Sequence, residues 1–330
     1  FAALPECELV AGCSRGRERL ARFGRRWGVT ALYHDTREML EKERLDIVAV
    51  ATPPGLHCEQ VVAAARAGAR GIFCEKPMAL SLGECDAMIA ACREHDCRLL
   101  VNCSRRWHGR FEAIRREAAA GRWGDLLHLV GYCQGCKPLP GWEAAHEGPM
   151  LHDAVHLYDL MRFFAGDIAW VLGTAECRRR HDLRVEDASL AILQFGAGVQ
   201  GLALVDELTE HARFGLELHF ERGLVQMGRA FSAEKAVHAS DVAEDWWWML
   251  AADEVPPPAW EGTPILNAAR DLVSCIEEGG EPRSSGNDGR AALEVIMALY
   301  QSQRQGNTRV ALPFADPRPM LEVMREDRLY

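Results

Sequence analysis

Asp46-Ile-Val-Ala-Val-Ala-Thr52 is an apolar run that continues almost unbroken from its second residue. A strand of a parallel sheet is buried on both faces, and its sequence therefore has this pattern. The residues from Leu56 to Ala67 are typical of a helix that ends at Gly68, and Gly71-Ile-Phe-Cys74 is typical of the next strand. The order strand, helix, strand predicts a right-handed β-α-β unit built on a parallel sheet.

The same alternation continues on both sides of this unit. Further strands are predicted at Glu8–Cys13 and Arg98–Val101, and further helices at Arg17–Trp27, Thr36–Glu43 and Ser81–His95. Short apolar strands that alternate with helices of about 10–15 residues are typical of a doubly wound parallel sheet. We therefore predict an α/β, Rossmann-type domain over residues 1–122.

The pattern changes after Gly121. Six strand-like runs follow one another with a single helix, Met150–Phe164, near their start; the runs are Leu126–Tyr132, Trp170–Arg178, Ala188–Phe195, Val199–Val205, Gly215–Phe220 and Leu224–Met227. Strands without intervening helices predict antiparallel pairing. Two more helices are expected near residues 264–278 and 288–304. The second domain is thus predicted as α+β over residues 123–312, with a large, mostly antiparallel open sheet, followed by a charged tail at 313–330.

Composition excludes several classes of protein. Acidic residues number 48 and basic residues 38, giving a net charge of −10, which argues against nucleic-acid or anionic-membrane partners. The twelve cysteines are scattered, and no signal-peptide pattern precedes them, so we expect reduced thiols in a cytoplasmic protein. Cys133 and Cys136 form one CxxC pair, but a structural zinc site normally needs four ligands, and we predict no metal there.

Two candidate functional segments follow predicted strands. Thr52-Pro53-Pro54-Gly55-Leu56-His57 and Glu75-Lys76-Pro77 lie where open α/β sheets bind ligands, at the carboxyl ends of strands. Only four of the 38 basic residues are lysines, and one of them is Lys76. Lysine can release its proton when its pKa is lowered, whereas arginine cannot. The alternatives are an ordinary strand–helix turn and a surface lysine.

A third candidate is the helix that contains His152, His156 and Asp159. Their spacing places the three side chains on one helical face. A histidine beside a carboxylate has its tautomer fixed, as a general acid or base requires. Two alternatives stay open: His156 as a core histidine, and His152 with His156 as metal ligands, although no third-ligand pattern such as HExxH is present.

Together these three segments resemble the Gfo/Idh/MocA oxidoreductase family, over nearly the whole chain. The resemblance implies that Lys76 and His156 stand beside the reacting carbon. It also implies that the nicotinamide half of the cofactor site is lined by Thr52, Pro53, His57, Glu75 and Lys76. Arg105 and Arg106 lie where relatives place an arginine on the cofactor or substrate side. His152, Asp153 and Asp159 are candidates for a supporting role. The family's large sheet often serves as an oligomer interface, so a homo-oligomer, dimer or tetramer, is expected.

The sequence departs from the family pattern at two places. Many members have an aspartate four residues before the catalytic histidine, where this chain has His152, with Asp153 next to it. In addition, the first strand and the glycine-rich phosphate turn of the Rossmann domain precede the point where the chain begins. We therefore expect a sheet with its first strand missing, in an N-terminally truncated piece of a complete enzyme that binds dinucleotide poorly.

The residues after the Glu8–Cys13 strand bear on the choice of cofactor. An acidic residue there would bind the ribose 2′-OH of NAD, but this chain has Ser14 and Arg15, which can bind a 2′-phosphate. We expect NADP rather than NAD.

The predicted reaction is hydride transfer to or from a secondary alcohol of a sugar or cyclitol, with the proton acceptor left open between Lys76 and His156. The alternatives are a redox-neutral glycosidase of the same fold and a non-catalytic, ligand-sensing regulator.

Overall fold

The computed structural model describes residues 1–135, 147–179, 181, 184–238 and 248–330. Cys136 of the CxxC pair lies outside these residues. The chain divides into two compact units, one formed by residues 1–107 and 262–290, the other by residues 108–261 and 291–330. The first helix after residue 107 therefore falls in the second unit, and a later segment returns to the first. The sequence-based boundary near residue 122 stays a prediction.

The first unit contains five short strands and the helices that connect them. Short 3-10 turns at Pro54–Leu56 and Ser104–Trp107 follow two of the strands. The unit also contains α7 (Pro264–Glu278) and the first residues of α8 (Gly286–Arg304). The other elements are β1 (Ala11–Cys13), α1 (Arg17–Trp27), β2 (Ala31–Tyr33), α2 (Thr36–Lys42), β3 (Ile47–Val50), α3 (His57–Arg66), β4 (Gly71–Cys74), α4 (Leu82–Glu94) and β5 (Arg98–Val101).

All strand pairs of this unit are parallel, which confirms the predicted α/β class. β1 pairs with β2, and β4 pairs with β3 and β5, so that the strands form a two-stranded and a three-stranded sheet. α7 covers the second sheet, where Leu272 and Ala268 pack against Phe73 and Leu100. α4 begins with a capping box in which the Ser81 and Glu84 side chains each accept from the other's backbone N–H. This cap fixes the chain soon after it leaves β4.

The second unit is dominated by a sheet of nine strands. The elements of the unit are α5 (Gly109–Ala119), β6 (Leu126–Gln134), a π-helical turn (Met150–Ala154), α6 (Val155–Ala165), β7 (Ile168–Gly173), β8 (Ala188–Phe195), β9 (Gln200–Asp206), β10 (Arg213–Phe220), β11 (Gly223–Met227), β12 (Phe231–His238), β13 (Trp248–Asp253), the rest of α8, β14 (Val310–Ala311) and α9 (Met320–Glu326). The strand order of the sheet is β13-β12-β11-β10-β6-β9-β8-β7-β14, and every pair is antiparallel except β6 with β9. The predicted, mostly antiparallel sheet is therefore confirmed.

Two glycines place α6 on one face of this sheet. A Cβ atom on Gly131 of β6 would lie 2.7 Å from Leu157 Cδ1, and one on Gly201 of β9 would lie 3.0 Å from Met161 Cε. Larger residues at either strand position would push the helix outward. The close approach of α6 to β6 and β9 determines where the residues of its first turn lie.

The other face of the sheet exposes apolar side chains. Leu190, Ile192 and Leu202 are 52%, 42% and 47% exposed, and Ile192 lies directly opposite Leu202 on the neighbouring strand. Alternate side chains of a strand point to the same face, so these residues form one apolar surface. Among the described residues, no helix has both the length and the apolar character needed to span a bilayer.

Candidate active site

In the first unit, the candidate residues follow the carboxyl ends of neighbouring parallel strands. Thr52 and Pro53 come after β3, Glu75 and Lys76 after β4, and Asn102 after β5. Since β3, β4 and β5 are parallel and adjacent, these residues lie at one edge of the sheet. This is the edge at which open α/β sheets bind their ligands.

Glu75 is held in place between the ends of two strands. Its N–H donates to Val50 O at 2.9 Å, and its Oε1 accepts a hydrogen bond of 2.8 Å from Asn102 Nδ2. Its Oε2 accepts from the N–H of Lys76 at 3.3 Å. These bonds fix the backbone from which the Lys76 side chain extends. Asn102, which is buried, was not a candidate from the sequence, although it directly follows the last predicted strand of this domain.

His57 connects two of the loops at this edge. Its Nδ1 lies 3.1 Å from Pro77 O, and its Nε2 lies 2.8 Å from Thr52 O. The ring is fully buried, and burial lowers the pKa of His57 below its ordinary value. Both ring nitrogens of His57 lie against backbone carbonyl groups, so His57 holds the Thr52 loop against the Lys76–Pro77 turn. Its contact with a cofactor stays a prediction.

The two arginines after β5 have different surroundings. Arg106 is 7% exposed; its guanidinium donates to Arg283 O at 2.8 Å and forms an ion pair with Asp288 at 3.1 Å. The Arg106 side chain thus has partners within its own unit, and its contact with a ligand stays a prediction. Arg105 is partly exposed and donates to the hydroxyl of Ser104 at 3.2 Å. Arg105 is therefore the better candidate for binding a ligand.

Ser14 and Arg15 lie between β1 and α1. Two contacts fix the backbone of Ser14. The N–H of Ser14 donates to the carbonyl of Tyr33, the last residue of β2, at 3.0 Å, and the carbonyl oxygen of Ser14 lies 2.8 Å from His34 Nδ1. Its hydroxyl accepts from the N–H of Gly16 at 3.3 Å, and the Arg15 side chain is exposed. Both residues therefore stand just beyond the carboxyl end of a parallel strand.

In the second unit, the segment with the two histidines begins with an irregular turn. The sequence predicts a regular helix from Met150, but residues 150–154 are π-helical and the α-helix starts at Val155. π-Turns of this kind are rare and occur frequently at functional sites. His152 lies in the π-turn and His156 in the first turn of α6, and both are buried, as is Asp159. The N–H of His152 donates to Gly148 O at 3.2 Å.

The carboxylate of Glu186 anchors this turn. Its Oε1 accepts from the N–H of Met150 at 3.1 Å, and its Oε2 accepts from the hydroxyl of Tyr300 at 2.9 Å. A Cβ on Gly148 would lie 2.1 Å from the carboxylate, so a larger residue there would displace it. Complete burial raises the pKa of Glu186 to about 7.

His152 is bound to a second buried carboxylate. Its Nε2 lies 2.6 Å from Glu207 Oε1 and 3.7 Å from Asp153 Oδ2, and potential ligand atoms of the three residues lie within 4.8 Å of one another. Neighbouring ligands of a divalent ion with bonds of about 2.1 Å are separated by about 3 Å or more. The distance of 2.6 Å is that of a charge-assisted hydrogen bond, so the geometry favours a histidine–carboxylate pair over a metal site.

Comparisons with known proteins match both parts of the chain. Residues 1–103 match the GFO_IDH_MocA family model, an oxidoreductase family with an NAD-binding Rossmann fold, and residues 111–226 match the GFO/IDH/MocA C-terminal domain. The chain is 31% identical to a D-apiose dehydrogenase of Paraburkholderia graminis over 91% of its own length and 82% of that protein. It is 25% identical to a myo-inositol 2-dehydrogenase of Thermotoga maritima over 86% of its length and 85% of that protein.

Solved structures have the same fold. The aldose–aldose oxidoreductase of Caulobacter crescentus, in complex with glycerol, superposes with a TM-score of 0.79 at 24% identity, over 93% of each chain. The WlbA dehydrogenase of Bordetella pertussis, in complex with NADH and UDP-GlcNAcA, superposes with a TM-score of 0.77 at 24% identity, over 93% of this chain and 90% of that one. At these identities the likeness extends to the fold alone.

Proposed function

The chain belongs to the Gfo/Idh/MocA oxidoreductase family, and we propose that it transfers a hydride between a nicotinamide cofactor and a secondary alcohol or ketone of a sugar or cyclitol. The observation that carries this proposal is the fixed position of Lys76. The bond between Asn102 and Glu75 holds the Lys76 backbone at the carboxyl edge of a parallel sheet. A cation placed there can stabilise negative charge on a substrate oxygen.

The residues at this edge fit a dinucleotide. Thr52 and Pro53 are partly exposed, and Oδ1 of the buried Asn102 has no hydrogen-bond partner among the described residues. A buried acceptor of this kind is costly unless a bound molecule donates to it. We propose that the cofactor, which accepts or supplies the hydride when bound, is held by Ser14, Arg15, Thr52, Pro53, Glu75 and Arg105.

Two side chains act on the hydroxyl group of the substrate, one on its proton and the other on its oxygen. An alcohol does not release a hydride easily while its oxygen keeps its proton. The imidazole of His156 takes that proton, since the unprotonated nitrogen of a neutral imidazole is a base and a hydrogen-bond acceptor. The ammonium of Lys76 stabilises the oxygen as the carbonyl forms. His152 and Asp159, each about one helical turn away from His156, support its position.

NADP is the proposed cofactor. Arg15 is exposed beside Ser14 at the end of β1, where its guanidinium and the Ser14 hydroxyl can both bind a 2′-phosphate. Neither side chain would repel that phosphate, as a carboxylate at the same place would.

A substrate panel tests the proposed function. The full-length protein is incubated with D-apiose, myo-inositol, scyllo-inositol, 1,5-anhydro-D-fructose and common aldoses and with NAD or NADP in either redox state, and the absorbance of the reduced nicotinamide is followed. We expect turnover with at least one sugar or cyclitol, faster with the NADP couple than with the NAD couple. Turnover with NAD and none with NADP would contradict the proposed cofactor. Sugar release from glycosides with no net change in NADPH would replace the proposal with a redox-neutral glycosidase.

We also propose that a second copy of the chain covers the apolar face of the nine-stranded sheet. Leu202, on β9, belongs to that face. We expect Leu202→Asp to convert the assembly to monomers, measured by light scattering after gel filtration, because a buried unpaired carboxylate is strongly unfavourable in an interface. Ile265→Asp, at a residue of α7 that is 58% exposed, is the control and should leave the mass unchanged. A wild-type chain that elutes as a monomer would refute this assembly.

A further inference from the structure

We propose that Glu207 is a positioning residue that acts through His152, holding its imidazole in one orientation with a proton on Nε2. This inference rests on the proposed function and adds to it a residue that the sequence did not single out. Glu207 follows β9, far along the chain from the π-turn, and meets that turn only in the folded unit.

The contact between the two side chains is short and buried. Glu207 Oε1 lies 2.6 Å from His152 Nε2, and both side chains are 3% exposed. A carboxylate that has been removed from water is costly unless it is hydrogen-bonded or paired. Losing the hydrogen bond to His152 would therefore raise the free energy of the buried Glu207 carboxylate.

The backbone around Glu207 is fixed on both sides. Its N–H donates to Asp187 O at 3.0 Å. The preceding residue, Asp206, accepts hydrogen bonds from the N–H groups of Leu208 and Thr209 at 3.0 and 3.1 Å and from Gln134 Nε2 at 2.7 Å. The carboxylate is thus presented to His152 from a rigid turn rather than from a loose loop.

The hydrogen bond to Glu207 determines which ring nitrogen of His152 carries a proton. An ionised carboxylate can only accept, so His152 Nε2 must carry a proton, and in the neutral ring Nδ1 is then the acceptor. Of the residues that the structure describes, Asp153, at 3.7 Å, and Glu186, through an electrostatic interaction, also act on His152. Neither makes a contact as short as that of Glu207. Since His152 lies one turn before His156, a fixed ring at His152 also fixes the packing beside the proposed base.

The first test needs no substrate. Long-range proton–nitrogen spectra of the protein with ¹⁵N-labelled histidines report which ring nitrogens are protonated, and His152→Gln assigns the signal. We expect His152 to carry a proton on Nε2 in the wild-type chain. In Glu207→Gln we expect a mixture of tautomers, because an amide can donate as well as accept. A neutral wild-type ring with its proton on Nδ1 would overturn the proposal, whether or not any variant folds.

The second test uses kinetics with the fastest substrate of the panel. We expect Glu207→Gln to lower kcat about tenfold or more with little change in the dissociation constant of the cofactor. In a His152→Gln background the same substitution should add less than about twofold, since the proposed effect of Glu207 on kcat passes through His152. Glu210→Gln removes the same charge at an exposed residue three positions away and serves as the control.

The outcomes separate this inference from the proposed function. If Lys76→Met abolishes turnover and Glu207→Gln behaves like Glu210→Gln, the proposed function stands and the positioning role is refuted. Equal losses from Glu207→Gln in the wild-type and His152→Gln backgrounds would also refute it, because they would show that Glu207 acts independently of His152. If no sugar or cyclitol is turned over by the wild-type chain, the proposed function fails, and the tautomer measurement still decides the pairing.

Discussion

Lys76→Met and His156→Ala are each expected to lower kcat by about 100-fold or more, while the dissociation constant of the cofactor changes little. The first variant keeps the length and apolar body of the side chain and removes the charge that stabilises the substrate oxygen. The second removes the group that takes the proton from the alcohol. The bonds of Glu75, Asn102 and His57, which hold the edge of the sheet, involve side chains that neither substitution changes.

Matched variants separate these losses from general effects. Lys42 pairs with Glu38 on the exposed side of α2, and His95 is exposed at the end of α4. Lys42→Met and His95→Ala should therefore leave kcat unchanged. Single-turnover rates and binding of NADPH, followed by its fluorescence, complete the measurement. Near-normal kcat in both Lys76→Met and His156→Ala would refute the assignment of the two residues.

β3 and β4 could be predicted because each is a continuous apolar run in the sequence, as a parallel strand buried on both faces requires. β4 is buried on both faces, whereas β3 has Ala49 exposed between the buried Val48 and Val50. β2 was not predicted, because its three residues, Ala31-Leu-Tyr33, are only half-buried and too few to show a pattern. The same local signal indicated where Thr52 and Lys76 would lie, since residues after parallel strands share one edge of the sheet.

The partners of the candidate side chains could not be predicted in this way. His57 and Arg106 follow strands as ligand-binding residues do, and the sequence assigned them to the cofactor. The structure gives them partners distant in sequence, Pro77 for His57 and Asp288 for Arg106. Burial and long-range pairing depend on the assembled fold. A motif that is read locally therefore cannot distinguish a positioning residue from one that contacts a ligand.

The buried contacts of Glu186 and Glu207 could not be predicted from the sequence either. Both occur in polar segments beside strands of the second unit, where carboxylates are ordinarily solvated. In the structure both are buried against the turn that contains His152. Arg184 lies two residues before Glu186, and nothing in Val185-Glu186-Asp187 or Asp206-Glu207 distinguishes these carboxylates in the sequence from solvated ones.

Glu186→Gln is expected to stabilise the protein at pH 8 by about 3 kcal/mol and to leave its stability unchanged near pH 4. The pKa of Glu186 is raised by burial from 4.5 to about 7. Below pH 4.5 the carboxyl group is protonated in both the folded and the unfolded chain. As the pH rises towards 7, the unfolded chain ionises first, so the wild-type protein loses stability until the folded carboxyl group ionises as well. Glutamine has no charge to bury and escapes this loss.

Glutamine at position 186 can make hydrogen bonds to the same two partners as Glu186. Its Oε1 can accept from the N–H of Met150, and its Nε2 can donate to the hydroxyl oxygen of Tyr300, so both bonds of Glu186 keep a counterpart. The free energy of unfolding is measured by urea denaturation at pH 4 and pH 8, with Glu210→Gln as the exposed control. An equal difference between Glu186→Gln and wild type at the two pH values would show that burial does not raise the pKa of Glu186 above its value in the unfolded chain. A buried charge beneath the π-turn would then have no part in the pH dependence of the second unit.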